Sequence, residues 1–256
     1  MAMSEYLYGR QCVREVLAAN RRSLKALLLA EGLRPAPILR DIERLAEQRG
    51  VPVRHVSRQE LGNISAQNRG VALEAGPYPY VQLDEELERL GREPAPLVLA
   101  LDCLQDPQNL ATLLRSAEGA GVGLVVIPER RQAGITPAVS HASAGAVEHL
   151  RVADVVNLRR ALEQVRAAGL MIYGLERAPG SRPHYEADLR RPLAIVVGGE
   201  AEGLRRLTRE TCDLLLEIPM SGKVTSLNAA VAGSLVLYEA LRQRLGDRSA
   251  PDSVGR

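Results

Sequence analysis

The side chains of this 256-residue sequence that are best suited to chemistry lie in three short polar stretches, each directly after an apolar run. Carboxamide, guanidinium, carboxylate and hydroxyl groups of this kind bind and orient polar ligands through hydrogen bonds. The stretches cover residues 106–117, 197–204 and 218–228, and their polar residues of interest are Asn109, Arg115, Glu200, Ser226 and Asn228.

The apolar runs before these stretches predict buried strands at 97–102, 193–197 and 214–216. In an open α/β sheet, ligands usually bind at the carboxyl ends of the strands, where a helix N-terminus also directs free N–H groups. Asp106 and Pro107 predict the N-cap and first position of a helix. Ser226 is predicted to cap a second helix, which runs to about Leu245.

Each polar residue also has a purely structural interpretation when it is taken alone. Asn109 could satisfy its own turn, which is the better interpretation of a lone asparagine at a helix start. Arg115 could be a solvated charge, and Glu200 could cap a helix. A glycine-rich turn after a strand is common, so Gly198 and Gly199 by themselves indicate little.

Composition excludes several classes of protein. The 46% hydrophobic and 25% charged fractions are ordinary for a globular protein, and a net charge of +2 restricts any nucleic-acid site to a local patch. Three widely spaced cysteines and four scattered histidines predict neither a disulfide framework nor a metal site. The sequence shows no signal peptide and no run of apolar residues long enough to cross a bilayer, so we predict a cytoplasmic protein that does not bind a membrane.

The order of predicted elements indicates two α/β domains. Residues 1–76 alternate helices and strands without a catalytic cluster, which predicts a binding domain. Residues 77–96 are proline-rich around a short charged helix and are predicted to be a linker. Residues 97–247 alternate strands and helices, which predicts a catalytic domain with a mostly parallel sheet, and 248–256 a disordered tail.

Taken in this order, the three stretches resemble the signature motifs of the SpoU family of RNA ribose 2′-O-methyltransferases, in the SPOUT superfamily. Tyr8-Gly9-Arg10 and Asn68-Arg69-Gly70-Val71 are similar to the L30e-like substrate-binding domain of the members that methylate a guanosine of 23S rRNA. Ser143-Ala144-Gly145-Ala146 is a further match. Ala111 departs from the family's usual glycine by one methyl group, which removes no chemical function.

The resemblance implies a trefoil knot in the catalytic domain and S-adenosylmethionine bound within it, without a metal. Glycines would permit the close approach of the cofactor, and apolar side chains would face its adenine. By position, the cofactor-binding residues are Gly198, Gly199, Ile218, Met220 and Leu227.

The resemblance also implies roles for the polar residues. Arg115 would lie at the target ribose, either as the base that takes the hydroxyl proton or as a phosphate clamp. We prefer the clamp, because a guanidinium is normally charged at neutral pH. Asn109 and Glu200 would orient Arg115 and the ribose, while Ser226 and Asn228 would fix the loop.

The expected partners are RNA and a second copy of the chain, since family members form homodimers with the cofactor site near the interface. Four arginine doublets of the predicted catalytic domain are consistent with an RNA partner: Arg130-Arg131, Arg159-Arg160, Arg190-Arg191 and Arg205-Arg206. The alternatives to methylation of a 23S rRNA guanosine are a tRNA guanosine 2′-O-methyltransferase, a resistance methyltransferase acting on another rRNA nucleotide, and a non-catalytic RNA-binding or ribosome-assembly protein.

Overall fold

The computed structural model describes residues 4–200 and 202–248, which form two compact units. One unit holds the described residues up to Pro79 together with Gly134–His149, and the other holds Tyr80–Ala133 and the described residues from Leu150 onward. The segment Gly134–His149 was predicted within a continuous catalytic domain, but it groups with the first unit. The predicted disordered tail, apart from Arg248, lies outside the described residues.

The first unit contains a four-stranded sheet in the order β1-β4-β2-β3, in which β4 is antiparallel to both neighbours and β2 is parallel to β3. One face of the sheet shares a core with the first two helices, and the other contributes to a smaller core with the third. The elements are β1 (Glu5–Tyr8), α1 (Arg10–Ala19), β2 (Leu24–Ala30), α2 (Pro37–Gln48), β3 (Val53–Val56), α3 (Arg58–Ile64) and β4 (Val71–Ala75).

A buried ion pair explains why Gly134–His149 groups with the first unit. The guanidinium of Arg22 donates from Nε and Nη2 to the two carboxylate oxygens of Glu148, at 2.8 and 2.9 Å, and the Ser140 hydroxyl donates to the same carboxylate at 2.8 Å. The side chains of Arg22 and Glu148 are 0% and 1% exposed. Arg22 keeps a second ion pair with Glu5 at 2.9 Å, but separation would leave the buried Glu148 carboxylate without a counter-charge, which is strongly unfavourable.

The second unit is built on a parallel sheet in the order β7-β6-β5-β10-β8-β11-β9, which confirms the predicted fold class. Its inner strands, such as β5 and β10, are buried along their whole length, as expected when helices cover both faces. In chain order the elements are α4 (Leu83–Leu90), β5 (Leu97–Asp102), α5 (Pro107–Gly119), β6 (Leu124–Pro128), α6 (Pro137–Ala142, grouped with the first unit), β7 (Val152–Val155), α7 (Leu158–Ala167), β8 (Met171–Leu175), β9 (Arg182–Pro183), β10 (Leu193–Gly198), α8 (Arg206–Thr211), β11 (Leu214–Glu217) and α9 (Ala229–Arg248).

Of the two long helices in the second unit, α5 has the N-cap that the sequence predicts and α9 does not. Asp106 caps α5 by accepting from Gln108 N at 2.9 Å, and Pro107 follows it, as predicted. The prediction that Ser226 caps α9 is wrong. Asn228 is the cap, because its Oδ1 accepts from the backbone N–H groups of Ala230 and Val231 at 2.9 and 3.2 Å.

The described residues contain no helix long and apolar enough to cross a membrane, and no group of three or more His, Cys, Asp or Glu side chains that could hold a metal ion. The trefoil knot stays a prediction of the resemblance.

Candidate active site

A chain of two hydrogen bonds joins the three polar stretches of the second unit. Asn228 Nδ2 donates to Asn109 Oδ1 at 2.9 Å, and Asn109 Nδ2 donates to Glu200 Oε1 at 2.7 Å. The carboxamide of Asn109 therefore has its oxygen on the Asn228 side and its nitrogen on the Glu200 side. Residues separated by 91 and 119 positions in the sequence meet at one point.

Sheet register explains why Asn109 and Glu200 meet. Strands β5 and β10 are parallel neighbours, and Asp102 lies opposite Gly198 at their carboxyl ends. Asn109 stands in the first turn of α5, and Glu200 follows the end of β10 by two residues. The loops after the two strands therefore leave the same edge of the sheet side by side.

The side chain of Asn228 serves two purposes at once. Its oxygen caps α9, while its amide nitrogen donates to Asn109. The backbone oxygen of Asn228 also accepts the first intrahelical bond, from Ala232 N at 2.9 Å. Because the cap fixes the orientation of the carboxamide, the start of α9 is held against the start of α5.

An ion pair that the sequence interpretation missed fixes the loop after β10. The carboxylate of Asp102 is 0% exposed, and it accepts from the backbone N and the Nε of Arg205 at 2.8 and 2.6 Å. A single aspartate at the end of an apolar strand was the available signal, since a buried carboxylate needs a partner. Asp102 thus holds the far end of the turn that contains Glu200.

Replacing Asp102 with asparagine is expected to lower the free energy of unfolding by about 1–3 kcal/mol. Asparagine lacks the negative charge and has one acceptor oxygen, so one of the two N–H donors of Arg205 loses its acceptor. Urea titration followed by circular dichroism measures the change. The matched control is Asp154→Asn, which alters an exposed carboxylate on β7 and is expected to change stability by less than about 0.5 kcal/mol. Equal losses in the two variants would contradict the role given to Asp102.

A cleft of about 300 Å³ opens between the loops after β8, β10 and β11 and the start of α9. All of the residues predicted to bind a cofactor line it, and so do Glu200 and Ser226, whereas Asn109, Arg115 and Asn228 do not. The predicted cofactor residues are Gly198, Gly199, Ile218, Met220 and Leu227.

The walls of the cleft combine apolar surface with carboxylates. Val197, Leu216 and the predicted residues Ile218 and Leu227 supply apolar faces, and Glu176 and Glu217 add acidic groups that the sequence interpretation missed. No sequence motif marks the residues after β8. Glu176 lies at the cleft because β8 is placed between β10 and β11 in the sheet, and a local pattern does not reveal this strand order. Arg177 lines the cleft as well, and Glu176 and Glu217 pair with Arg209 and Arg177 at 2.7 and 3.8 Å. This lining suits a ligand that is partly apolar and partly polar.

Arg115 is exposed on α5 and forms no hydrogen bond or ion pair with the described residues. The next residue, Ser116, accepts a hydrogen bond from the hydroxyl of Ser234 on α9 at 2.8 Å. Arg115 therefore stands on the surface beside the packed pair of helices α5 and α9. A guanidinium in this position is available to an external anion.

The cysteine thiols of the second unit are poor nucleophiles. Burial raises the pKa of the Cys103 thiol, and it raises the pKa of the Cys212 thiol to about 12. Burial also raises the pKa of the Cys12 thiol, in the first unit. Since the thiolate is the reactive form, these residues do not suggest covalent catalysis through sulfur.

Two family models match the chain. The model described as the SpoU rRNA Methylase family matches residues 96–238, and the model described as RNA 2′-O ribose methyltransferase substrate binding matches residues 6–81. The first model alone matches more than half of the sequence.

Relatives with similar sequences or folds are known from several bacteria. A protein of Bacillus subtilis, named putative TrmH family tRNA/rRNA methyltransferase YacO, is 39% identical over 94% of this chain and 96% of its own length. The 23S rRNA (guanosine-2′-O-)-methyltransferase RlmB of Pseudomonas putida is 38% identical over 95% of this chain and 98% of its own. The crystal structure of AviRb from Streptomyces viridochromogenes, in complex with the cofactor AdoMet, has the same fold, with a TM-score of 0.79, 23% identity, and coverage of 95% and 91% of the two chains.

Proposed function

Because this chain belongs to the SpoU rRNA methylase family, we propose that it transfers a methyl group from S-adenosylmethionine to a ribose 2′-hydroxyl of RNA. The observation that carries the proposal is the hydrogen-bonded chain Asn228–Asn109–Glu200 at the rim of the cleft. It brings together, in one unit, the three stretches that resemble the family's motifs.

The cleft fits the cofactor in size and in chemistry. Its volume of about 300 Å³ lies at the lower end of the range for small-molecule sites. Ile218 and Leu227 offer apolar faces to an adenine. The Glu200 carboxylate, which uses only one oxygen in its hydrogen bond to Asn109, adds a negative charge to the lining. S-adenosylmethionine, when bound, supplies an electrophilic methyl group on a positively charged sulfur.

The chain's own residues have to bind the RNA and prepare its hydroxyl. Arg115 clamps a substrate phosphate and stabilises the negative charge that develops on the 2′-oxygen as its proton passes to solvent water at this exposed position. Asn109 and Glu200 hold a fixed relative orientation through their 2.7 Å hydrogen bond and orient the ribose. Asn228 fixes that arrangement by holding Asn109 against α9, and Ser226 lines the cleft two residues before the cap.

Isothermal titration calorimetry separates the enzyme from the non-catalytic alternative. Titration of the full chain with S-adenosylmethionine is expected to show binding heat with one site per chain. A Leu227→Asp variant, which places a charge where an apolar wall is expected, should bind more weakly, while Val156→Asp at an exposed site outside the cleft should bind normally. An absence of heat with the unaltered chain would favour an RNA-binding protein without catalytic activity.

We further propose that the target is a guanosine of 23S rRNA. The match of residues 6–81 to a substrate-binding domain and the name of the Pseudomonas putida relative support this choice. The Bacillus subtilis relative is named for both tRNA and rRNA, which keeps a tRNA guanosine as the second candidate. Mapping of 2′-O-methylated nucleotides in RNA from a deletion strain distinguishes them, because the missing methyl group identifies the substrate.

The exposed face of α9 supports a homodimer. Val231, Leu235, Tyr238 and Leu245 are 45–52% exposed and recur at helical spacing, although the opposite face of the same helix is already buried in the second unit. A helix that is apolar on both faces is typical of one covered on both sides. Because Arg115 stands beside the α5–α9 pair, a second copy bound to this face would lie close to it.

Replacing Leu235 with arginine is expected to convert the dimer into a monomer, since the charge would be buried without a partner at the centre of the interface. Sedimentation velocity measures the change in mass. Val156→Arg is the matched control, because Val156 is 86% exposed and lies on a different element. A dimer that survives Leu235→Arg unchanged would place the interface elsewhere.

A further inference from the structure

The first unit contains a cavity of about 450 Å³ on the face of its sheet that carries α3. It lies within the region matched as a substrate-binding domain, except for Pro137 at its edge, and it has no part in the active site of the second unit. Tyrosine, arginine, asparagine and glutamate side chains line it, and we call it the tyrosine cavity. The residues used below are Tyr6, Tyr8, Arg54, Glu60 and Asn63.

Strand register places the cavity's main groups on one face of the sheet. Tyr8 pairs with Ala72, Ala72 pairs with Leu28, and Leu28 pairs with Arg54, so these residues form one lateral row across all four strands. Laterally paired residues point to the same face of a sheet. The small Ala72 leaves a depression between Tyr8 and Leu28, and Tyr6 stands on the same face two residues before Tyr8.

The rings of Tyr6 and Tyr8 differ in how far neighbouring residues hold them in place. The side chain of Tyr6 is 41% exposed, so its ring is available to a ligand. Tyr8 is half-buried, and its ring lies 4.8 Å from that of His141, whose Nδ1 is 3.1 Å from the Tyr8 backbone oxygen. One aromatic ring is thus held in place while the other is free to close on a planar group.

The polar side chains of the cavity are free to bind a ligand. Arg54, Glu60 and Asn63 make no side-chain hydrogen bond or ion pair with residues 4–200 or 202–248. Arg54 is exposed on β3, and Glu60 and Asn63 stand on α3. A cation, a carboxylate and a carboxamide that surround an aromatic surface without internal partners suit an external ligand with both a planar ring and a negative charge.

We propose that the tyrosine cavity binds one unstacked base of the RNA substrate, a base that carries an exocyclic amino group. Tyr6 and Tyr8 stack on the base, Glu60 and Asn63 hydrogen-bond to its edge, with the carboxylate accepting from the amino group, and Arg54 binds the adjacent phosphate. The proposal rests on the proposed function for the RNA substrate. The sequence contains no Phe or Trp and only seven Tyr. The two tyrosines of this cavity are therefore a large share of the Phe, Tyr and Trp side chains on which a base could stack.

The test uses the full chain and a single-stranded oligoribonucleotide with 2-aminopurine at its centre, a fluorescent base with an exocyclic amino group whose emission falls when it stacks. Tyr6→Leu is expected to weaken binding on the order of tenfold and to reduce the quenching to the part that Tyr8 supplies, whereas Tyr6→Phe, which keeps the ring, should bind and quench like the unaltered chain. Arg54→Gln should reduce the salt dependence of binding by about one phosphate contact.

Two further readouts separate this inference from the proposed function. S-adenosylmethionine binding by calorimetry and thermal unfolding are expected to be unchanged in Tyr6→Leu, since Tyr6 is an exposed side chain of the first unit. Quenching that depends on Tyr6 in a chain that transfers no methyl group would leave the inference standing and overturn only the proposed function. Equal affinity of Tyr6→Leu and the unaltered chain, or no quenching by the unaltered chain, would overturn the inference.

Discussion

Replacing Arg115 with lysine is expected to slow methyl transfer by about two to three orders of magnitude while S-adenosylmethionine binds normally. Arg115 stands outside the cofactor cleft, is exposed, and has no partner among the described residues, so its planar guanidinium is free for the RNA. Lysine keeps the charge but cannot form two parallel hydrogen bonds to a phosphate. Single-turnover transfer of labelled methyl groups at saturating RNA measures the rate.

The control for this variant is Arg92→Lys, because Arg92 is also exposed, lies in the same unit, and has a side chain without a hydrogen bond or ion pair to the described residues. We expect its rate to match that of the unaltered chain. Near-normal transfer by Arg115→Lys would show that a point charge is sufficient and would remove the bidentate clamp from the account.

Replacing Gly198 with alanine is expected to abolish cofactor binding and to lower the free energy of unfolding by about 3 kcal/mol or more. A Cβ at this position would lie 2.2 Å from the carbonyl carbon of Gly203 and 2.5 Å from the backbone N of Leu204. Both contacts are with backbone atoms, and the turn between them is closed by the hydrogen bond from Gly203 N to Gly199 O. Relief of the clash therefore requires the loop that carries Glu200 to move.

Gly222→Ala is the matched control, since the same methyl group at Gly222, in the loop before α9, meets no atom within 4 Å. Its stability is expected to change by less than about 0.5 kcal/mol. Calorimetry with S-adenosylmethionine and urea titration compare the two variants. A Gly198→Ala protein that binds the cofactor as well as Gly222→Ala would show that the close approach at Gly198 does not shape the cleft.

Much of the second unit could be predicted because its signals are local. The apolar runs at 97–102 and 193–197 are too short and too continuous for surface helices, and they are strands in the structure. Asp106 followed by Pro107 marks a helix start through backbone chemistry alone, and α5 begins there. In the first unit, α3 was missed, although Ser57 and Glu60 carry the spacing of a capping box and Ser57 does cap the helix.

Features that depend on distant residues could not be predicted from local patterns. Ser226 and Asn228 are both good caps by type, and the choice of Asn228 depends on Asn109, which lies 119 positions away. The grouping of Gly134–His149 with the first unit depends on the buried pair of Arg22 and Glu148, which no local pattern connects. The convergence of Asn109, Glu200 and Asn228 was expected only from the resemblance, because spacing alone does not reveal which strands are neighbours.

The most direct test of methyl transfer to a ribose uses the full chain, S-adenosylmethionine with a tritiated methyl group, and a mixture of unmodified 23S rRNA and tRNA transcripts, followed by alkaline hydrolysis of the RNA. A methyl group on a 2′-oxygen blocks cleavage of the next phosphodiester bond, so we expect the label in alkali-resistant dinucleotides. Label recovered in mononucleotides, which would indicate methylation of a base, or RNA that remains unlabelled, would contradict the account.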